Sequence, residues 1–565
     1  MKRALRAARR LGPGAWCVLA AACICRAIAV ADAAPPPPPA LSGIDGLVRI
    51  YDAILDARFD EVAAEMERAC PSTRLATSPS TPLGTGPSKT PAGRPSTRRA
   101  TGTATGASAA PAAPPEACDV LAATATWWRI LLDPNSRALD AQFSSEAERA
   151  IHSTEAWTSR DPQNAEAHFY AGAAYAVRVQ WRVLRAEKLA AARDGKRIKQ
   201  ALERAIALDP DLDDAYFGVG LYQYYADVAP ASAKVLRFLL MLPGGDKTEG
   251  LARMRRARAH GKLLQGEADY QLHILYLWYE KRADLAAGLL ESLRDRYPGN
   301  PLFAAQLADV QDRYLHDISA SLATWRGLLA AARDGRVNEA DIAAAQARLG
   351  IARQLEAVHQ TDHAIEHLRE ILSDKPAAPE GAVAAAYLAL GEAEDRLGHR
   401  DPALAAYELA IQAAPSRDPD EIRRRAAEHI RRAPDPQRAE AYRLSLEGLR
   451  RLEKSDATGA ESLLVRSLTL NPADPVARYR YARVLLANKD DEHALTALEA
   501  AIRGAREAPA PIAAAAHYEA ARIHERRGHT EQAIAYYRTA NAWFGAAADT
   551  RTAATRALAR LRATK

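Results

Sequence analysis

The chain has 565 residues, of which 26% are charged and only 6% are aromatic. Its formal net charge of +6 comes from two segments, 1–33 and 71–115, which each carry a net charge of +5 and leave −4 for the remainder. A mildly acidic body lacks the basic surface that phosphate contacts require, so nucleic acid is not expected as a partner.

Residues 1–33 have the pattern of a secretory signal peptide. A basic start, MKRALRAARR, precedes an apolar run, AWCVLAAACIC, and small residues in AVADA. This order is typical of export, and the apolar run is too short to span a bilayer. We expect cleavage after Ala33 and a periplasmic or envelope-associated protein. A lipoprotein anchored at Cys23 is less favoured, because Ala20 stands where Leu is preferred, and an uncleaved anchor is the remaining alternative.

Composition divides the rest of the chain into four segments. Residues 34–70 hold a proline-rich spacer, APPPPPA, and a predicted helical pair, and residues 71–115 are predicted to be a disordered linker rich in Pro, Ser, Thr and Gly. Residues 116–335 read as degenerate helical repeats with insertions, and residues 336–565 as regular ones. We expect an all-α fold with negligible sheet. The first predicted helix carries one apolar stripe: Leu47, Ile50, Tyr51, Ile54 and Leu55.

A spacing rule recurs in the regular repeats. Gly391, Ala403, Tyr407, Ala410 and Pro415 are separated by 12, 4, 3 and 5 residues. Copies of these intervals, with or without the proline, begin at Gly448, Ala482 and Ala521. Small residues let two helices approach closely, the aromatic residue or Leu fills the space beside them, and Pro ends the second helix.

This pattern resembles the tetratricopeptide repeat family, whose period is about 34 residues. The match is strong over 339–545 and degenerate over 160–335. The N-terminal part also resembles, more distantly, a eukaryotic tetratricopeptide family associated with the mitochondrial outer membrane, through a Gly- and aromatic-rich helix, an apolar insertion and the motif RYPGNPLF. The resemblance implies an α-solenoid of antiparallel helix hairpins, a TPR-like superhelix. It further implies a non-enzymatic scaffold of the cell envelope that binds a peptide or protein partner in a concave groove.

The stretch AYFGVGLYQYYADVAP at 215–230 is unusually aromatic for this chain. Rigid amphipathic side chains on groove-lining helices supply much of the energy of partner binding. The partner-binding candidates are Tyr170, Tyr175, Tyr216, Tyr222 and Tyr225. For each of them, simple packing between repeats is the favoured alternative.

An apolar insertion, ASAKVLRFLLMLPGGD, follows this aromatic stretch. We expect residues 233–243 to be mostly buried against the neighbouring aromatic side chains. The alternative function is that of a membrane-peripheral protein, which would dock through residues 234–242 as a short interfacial helix.

The sequence carries no recognisable catalytic motif. LPGGDKTEG at 242–250 lacks the glycine spacing of a phosphate-binding loop, and Asp246 followed by Glu249 predicts a capping box at a helix start instead. We therefore expect no enzymatic activity, no cofactor and no small-molecule substrate.

Two histidine pairs have a spacing that invites comparison with metal ligands. His524 and His529 are five residues apart, which would put them about 140° apart on one helix, and Gly528 lies at the predicted turn between two helices. They are therefore not expected to share a metal ion. His363 and His367 are four apart, on a face that the repeat normally leaves to solvent. A divalent metal there is the lesser alternative, and no metal site is predicted.

Cys70 and Cys118 are predicted to form a disulfide. Removal of residues 1–33 would leave them as the only two cysteines, and export would place them in an oxidising compartment. They flank the predicted linker, so a bridge would fasten the helical pair to the repeats. Two unpaired, buried thiols are the alternative.

Overall fold

A computed structural model describes residues 41–70, 112–229, 244–374 and 378–563. The predicted signal peptide, almost all of the predicted linker and the apolar insertion at 233–243 lie outside these residues. Within them the protein is all-α, as predicted, with 24 helices and no strand. The first twelve are α1 (Ile44–Leu55), α2 (Phe59–Ala69), α3 (Pro115–Leu132), α4 (Asp140–Arg160), α5 (Ala165–Leu184), α6 (Lys188–Leu208), α7 (Ala215–Val228), α8 (Lys247–His260), α9 (Gln265–Trp278), α10 (Ala283–Arg296), α11 (Pro301–Arg313) and α12 (Ile318–Arg333).

The remaining twelve helices continue the same pattern to the C-terminus. They are α13 (Ala340–Ala357), α14 (Thr361–Asp374), α15 (Ala382–Leu397), α16 (Arg400–Ala413), α17 (Ile422–Arg431), α18 (Pro436–Glu453), α19 (Ala457–Leu470), α20 (Pro475–Ala487), α21 (Asp491–Arg503), α22 (Ala510–Arg526), α23 (Thr530–Ala542) and α24 (Ala548–Ala563). The short helix α17 is an addition between two repeats that the spacing rule did not predict.

From α3 onward each helix packs against the next, as expected for stacked hairpins, except that the short helix α17 packs against α15 and α16 rather than against α18. The first helix of one hairpin also contacts the first helix of a following one, in the pairs α3–α5, α5–α7, α11–α13, α13–α15, α15–α18, α18–α20 and α20–α22. We call these first helices from α5 onward, together with α9, the inner helices. The predicted solenoid of hairpins is confirmed in this arrangement.

The spacing rule corresponds to close helix contacts. A Cβ placed on Gly391 of α15 would lie 2.5 Å from the ring of Tyr407 on α16. One placed on Gly448 of α18 would lie 2.8 Å from Leu464 of α19. The small residue and its large partner therefore meet within each hairpin, as the intervals predicted.

Local capping also follows the sequence. The Asp246 side chain accepts hydrogen bonds from the backbone N–H groups of Thr248 and Glu249 at the start of α8, which is the Asp246 half of the predicted capping box. The Glu249 carboxylate instead accepts a hydrogen bond from Arg253. Asp435 and Asp474 cap α18 and α20 in the same way, each immediately before a proline at the first helical position.

Candidate functional site

The inner helices of the N-terminal repeats form a groove, and α1, the first helix of the described residues, fills it. Helix α1 contacts the beginnings of α5, α9 and α11, and its predicted apolar stripe belongs to the largest hydrophobic cluster. Leu47, Ile50 and Ile54 have no exposed surface. Leu55 fits so closely against Gly266 of α9 that a Cβ on the glycine would lie 2.5 Å from the leucine. The apolar stripe of α1 is therefore part of the hydrophobic core and packs against the protein's own repeats.

Polar contacts fix α1 in this groove at its beginning and middle. Ser42 donates to the Glu166 carboxylate of α5 through both its backbone N–H and its hydroxyl, each at 2.8 Å. The Tyr51 hydroxyl donates to Glu267 of α9 at 3.1 Å. Burial raises the pKa of both carboxyl groups, and these hydrogen bonds oppose the rise. Both glutamates are therefore set in the groove wall rather than offered to solvent.

The C-terminal end of α1 is capped by residues from distant repeats. The Asn300 side chain donates to the carbonyl of Leu55 at 2.7 Å, and the Asn338 side chain donates to the carbonyl of Asp56 at 2.9 Å. The backbone N–H of Gly299 donates to the Asp56 carboxylate at 2.7 Å. These bonds satisfy carbonyl groups that a helix end leaves unpaired.

Helix α3 fills the same groove from the other direction. Trp128 is buried between Tyr270 of α9 and Phe303 of α11, with ring centroids 4.9 and 5.9 Å away. Beyond it, Asp133 accepts a hydrogen bond from the backbone N–H of Glu380, just before α15. Together, α1, α3 and the residues that flank them therefore contact α5, α9, the start of α11 and the turns before α13 and α15. They leave a residual cavity of only about 50 Å³ beside Tyr51 and Tyr170.

Two of the candidate tyrosines lie inside this packed region. Tyr170 is buried and stacks on Trp157, with centroids 6.2 Å apart. Tyr175 is also buried, and its hydroxyl is hydrogen-bonded to Glu155 and Arg197. In this structure both make contacts between repeats, and a partner could touch Tyr170 only after the groove had been vacated.

The other three candidates are half-buried near the outer surface of α7. The Tyr216 hydroxyl donates to the Pro210 carbonyl at 3.2 Å, and the Arg256 guanidinium lies 3.8 Å from its ring centroid. Tyr222 lies beside Gly195 of α6. The Tyr225 ring meets that of Tyr279 edge-on at 5.6 Å. The structure therefore does not bring the five tyrosines together into one surface.

Cys70 and Cys118 lie side by side where α2 ends and α3 begins. Their Cα atoms are 6.7 Å apart, a separation that a disulfide permits. The backbone N–H of Ala113 also donates to the carbonyl of Ala69 at 3.0 Å, so the two ends of the undescribed segment meet here. The proximity that the disulfide requires is present, while the bond in the expressed protein stays a prediction.

An open pocket of about 540 Å³ lies between the inner helices α20 and α22, far along the chain from the filled groove. Four cationic and two acidic side chains line it together with the Tyr479 ring: Arg483, Lys489, Arg522, Arg526, Asp491 and Glu519. No sequence motif marked this pocket, because its residues come from two repeats and each resembles an ordinary charged position on a helix surface.

Only two of the four cationic side chains in this pocket form an ion pair with a described carboxylate. Arg522 binds Glu519 and Arg526 binds Asp491, in each case through two hydrogen bonds. Arg483 and Lys489 have no ion pair with any described residue. Desolvation raises the pKa of the half-buried Tyr479 hydroxyl, and the charge of Arg483 opposes this rise. The pocket therefore presents two uncompensated positive charges.

The structure contradicts the expected separation of about 140° between His524 and His529. Helix α22 ends at Arg526, and Gly528 has a φ of +73°, so the chain turns before His529. The two Nδ1 atoms are consequently 3.5 Å apart. By contrast, His367 of the other pair lies 4.0 Å from Glu370, and no contact joins it to His363.

The described residues offer neither a metal-binding cluster nor a membrane-spanning helix. They contain no cluster of three or more side chains suited to holding a metal ion. None of their helices combines the length and the apolar character needed to cross a membrane.

Comparison with known proteins finds similarity to repeat proteins. The tetratricopeptide repeat model matches residues 384–417 and 514–543, the hairpins α15–α16 and α22–α23. No curated protein matches the chain.

Three solved structures are similar to the chain at low identity. The TPR2AB domain of yeast Sti1 in complex with Hsp90 is 14% identical, with 53% of this chain and 99% of that one covered and a TM-score of 0.21. The human IFIT1 dimer with m7Gppp-AAAA is 15% identical, with 69% and 72% covered and a TM-score of 0.29. A tetratricopeptide repeat protein from Parabacteroides merdae is 13% identical, with 51% and 98% covered and a TM-score of 0.23. Scores this low carry no information about partners.

Proposed function

Because this chain belongs to the tetratricopeptide repeat proteins, we propose that it is a non-enzymatic scaffold that binds a protein partner through its inner helices. The observation that carries this proposal is the contrast between the two grooves. In the N-terminal repeats α1 and α3 occupy the groove, whereas the pocket between α20 and α22 is open. Partner binding without rearrangement therefore uses the C-terminal repeats.

The charge of the open pocket indicates an acidic segment as its occupant. Arg483 and Lys489 supply positive charge that no described carboxylate neutralises, and the Tyr479 ring offers an apolar surface between them and Glu519. An extended peptide with Asp or Glu side chains would pair with these cations and exclude water from the ring. The pocket volume suits a few residues of such a segment.

We further propose that the protein acts in the cell envelope. Support comes from the signal-like pattern of residues 1–33 and from the adjacency of Cys70 and Cys118, which an oxidising compartment would join. N-terminal sequencing of the protein purified from an envelope fraction tests this. A first residue of Ala34 supports export, and an intact Met1 in a cytosolic fraction contradicts it.

The partner site is tested with a fluorescent acidic peptide and matched charge reversals. Binding of an Asp- and Glu-rich peptide should fall more than about tenfold in Arg483→Glu/Lys489→Glu, because attraction becomes repulsion. The control is Arg503→Glu/Arg538→Glu, which makes the same change of charge at exposed positions of the outer helices α21 and α23. Equal loss in both variants would mean that only net charge matters, and no loss in either would refute the site.

The same variants serve as bait with proteins from the native envelope. A partner captured by the wild type and the Arg503/Arg538 control, but lost with the Arg483/Lys489 variant, would identify the occupant. A single-stranded RNA of similar charge should compete poorly with the peptide, since the body of the protein is acidic. Strong competition by RNA would overturn the assignment of a protein partner.

The second candidate function is peripheral membrane docking through residues 234–242. The observation that favours it is the exposure of large apolar side chains at the C-terminal ends of the inner helices on either side of α7: Val183 is 65% and Trp278 62% exposed. The insertion follows the C-terminal end of α7 itself. Flotation of the protein with anionic liposomes, abolished by Leu239→Asp, would support docking, whereas wild-type protein that stays unbound would exclude it.

A further inference from the structure

The pair of histidines after α22 has the geometry of a half-site for a transition metal. His524 and His529 bring their Nδ1 atoms to 3.5 Å from each other, with ring centroids 5.7 Å apart. Two nitrogens bound to one tetrahedral ion at the usual zinc–nitrogen distance of about 2.0–2.1 Å lie about 3.3–3.4 Å from each other. The observed separation therefore needs only a small adjustment to place one ion between them.

The surroundings hold one ligand in place and leave the other accessible. His524 is 9% exposed, and its ring stacks on Tyr536 with centroids 5.3 Å and planes 12° apart, which fixes its orientation. Its Nε2 has no hydrogen-bond partner among the described residues, so this nitrogen can carry the ring proton while Nδ1 binds an ion. His529 is exposed at the turn and offers a path for entry.

We propose that His524 and His529 together bind one divalent transition-metal ion of the class that prefers imidazole, such as Zn²⁺ or Ni²⁺. Both rings bind through Nδ1 as neutral ligands, and the ion replaces the hydrogen bond between them. The protein supplies two of the four ligands of a tetrahedral ion, and water or a donor from another molecule supplies the others. This site is independent of the pocket between α20 and α22.

Calorimetric titration of ZnCl₂ into untagged, chelator-treated full-length protein tests the proposal. One ion per chain should bind, and both His524→Ala and His529→Ala should weaken binding more than about tenfold, since each removes half of the protein ligands. His363→Ala is the matched control, because His363 belongs to the other histidine pair and should leave binding unchanged.

The His529→Ala variant is expected to fold normally, because the His529 side chain is exposed. A circular dichroism spectrum equal to that of the wild type would verify this. Unchanged zinc binding in His529→Ala would overturn the proposal, as would loss of binding in His363→Ala with retention in both other variants. The absence of measurable binding to the wild type by either Zn²⁺ or Ni²⁺ would also overturn it.

Discussion

The single residue Glu267 illustrates the energetic cost of burying a carboxyl group when α1 fills the groove. Its carboxyl group is buried and accepts hydrogen bonds from Tyr51 and Gln271. Removal from water raises its pKa above the ordinary value of 4.5, and the hydrogen bonds only partly oppose this. The folded state therefore holds this proton more tightly than the unfolded state does. The stability that Glu267 contributes is fully present below its unfolded pKa and is lost as the pH rises through its raised folded pKa.

Glu267→Gln should consequently alter the pH dependence of stability. Glutamine can accept the Tyr51 hydrogen bond without carrying a charge, so the variant should be at least as stable as the wild type at pH 8. Its relative advantage should shrink as the pH falls toward 4.5, where the wild-type carboxyl group becomes protonated. Urea midpoints of both proteins at several pH values between 4.5 and 8 measure this.

The control for this prediction is Glu291→Gln, an exposed substitution on α10. It should leave the difference from the wild type small at every pH. A Glu267→Gln difference that did not vary with pH would show that the carboxyl group has no altered proton affinity in the folded protein.

Glycines test the spacing rule directly. Gly391→Leu should lower the free energy of unfolding by about 2–3 kcal/mol, because a side chain there collides with the Tyr407 ring. Gly327 also lies inside a helix, but a Cβ on it would meet nothing within 4 Å. Gly327→Ala should therefore raise stability by about 0.5–1 kcal/mol. Thermal melts of both variants decide the matter, and an unchanged melt for Gly391→Leu would mean that this crossing is not close-packed.

Predictions about the contacts of single residues were confirmed where the two residues in contact are close in sequence. Gly391 and Tyr407 are 16 residues apart in one hairpin, and Asp246 caps a helix that begins at the next residue, so intervals and local propensity were sufficient. The His524–His529 expectation failed because a spacing of five residues was converted into an angle along one helix, although Gly528 was placed at the turn between two helices. The positive φ at that glycine ends the helical geometry, and an interval converts into an angle only within one helix.

Among the secondary-structure elements, helix α1 could be predicted from the sequence, but the helices against which it packs could not. The apolar stripe from Leu47 to Leu55 marks an amphipathic helix in any single-sequence analysis. The partners of α1 and of Ser42 just before it, Glu166, Glu267 and Asn300, lie 124, 216 and 245 residues further along the chain. The stripe itself does not indicate which residues these partners are. From the sequence, the N-terminal part of the groove is therefore expected to be open to a partner. In the structure α1 and α3 of the same chain fill that part.

The Cys70–Cys118 pair controls how firmly α1 and α2 stay attached to the repeats. In the chain-entropy account, closing the 48-residue separation stabilises the folded state by about 4 kcal/mol. Cys70→Ser/Cys118→Ser should therefore lower the urea midpoint and make residues 41–70 the first target of limited proteolysis. Reduction of the wild type should reproduce both effects.

Peptide mapping of unreduced protein provides the covalent test of this prediction. A peptide that contains both cysteines in a bond is expected. Recovery of both cysteines alkylated without prior reduction would contradict the prediction, and the alternative of two buried thiols would then stand.

At the scale of the whole chain, two kinds of connection hold the repeats together. In the N-terminal repeats α1 and α3 contact inner helices far along the chain, so α5, α9, α11 and α13 share two common partners. In the C-terminal repeats the apolar contacts run mainly between neighbours, and separate small clusters replace the single large one. Contacts with distant elements are polar there, such as those of Arg450 with Asp362 and of Arg551 with Asp317. A solenoid with neighbour contacts alone can open locally, whereas shared partners force several repeats to open together.

Paired substitutions should separate these two behaviours in hydrogen exchange. Ile54 and Leu498 are both buried apolar residues with no exposed surface, one in α1 and one in α21. Ile54→Asp puts an unpaired charge at the centre of the filled groove, so exchange protection should fall together in α3, α5, α9 and α11. Leu498→Asp should instead release α20–α23 alone and leave α5–α11 protected. If both variants lost protection across the entire chain, the repeats would form one cooperative unit, and the distinction between shared and neighbour contacts would have no energetic consequence.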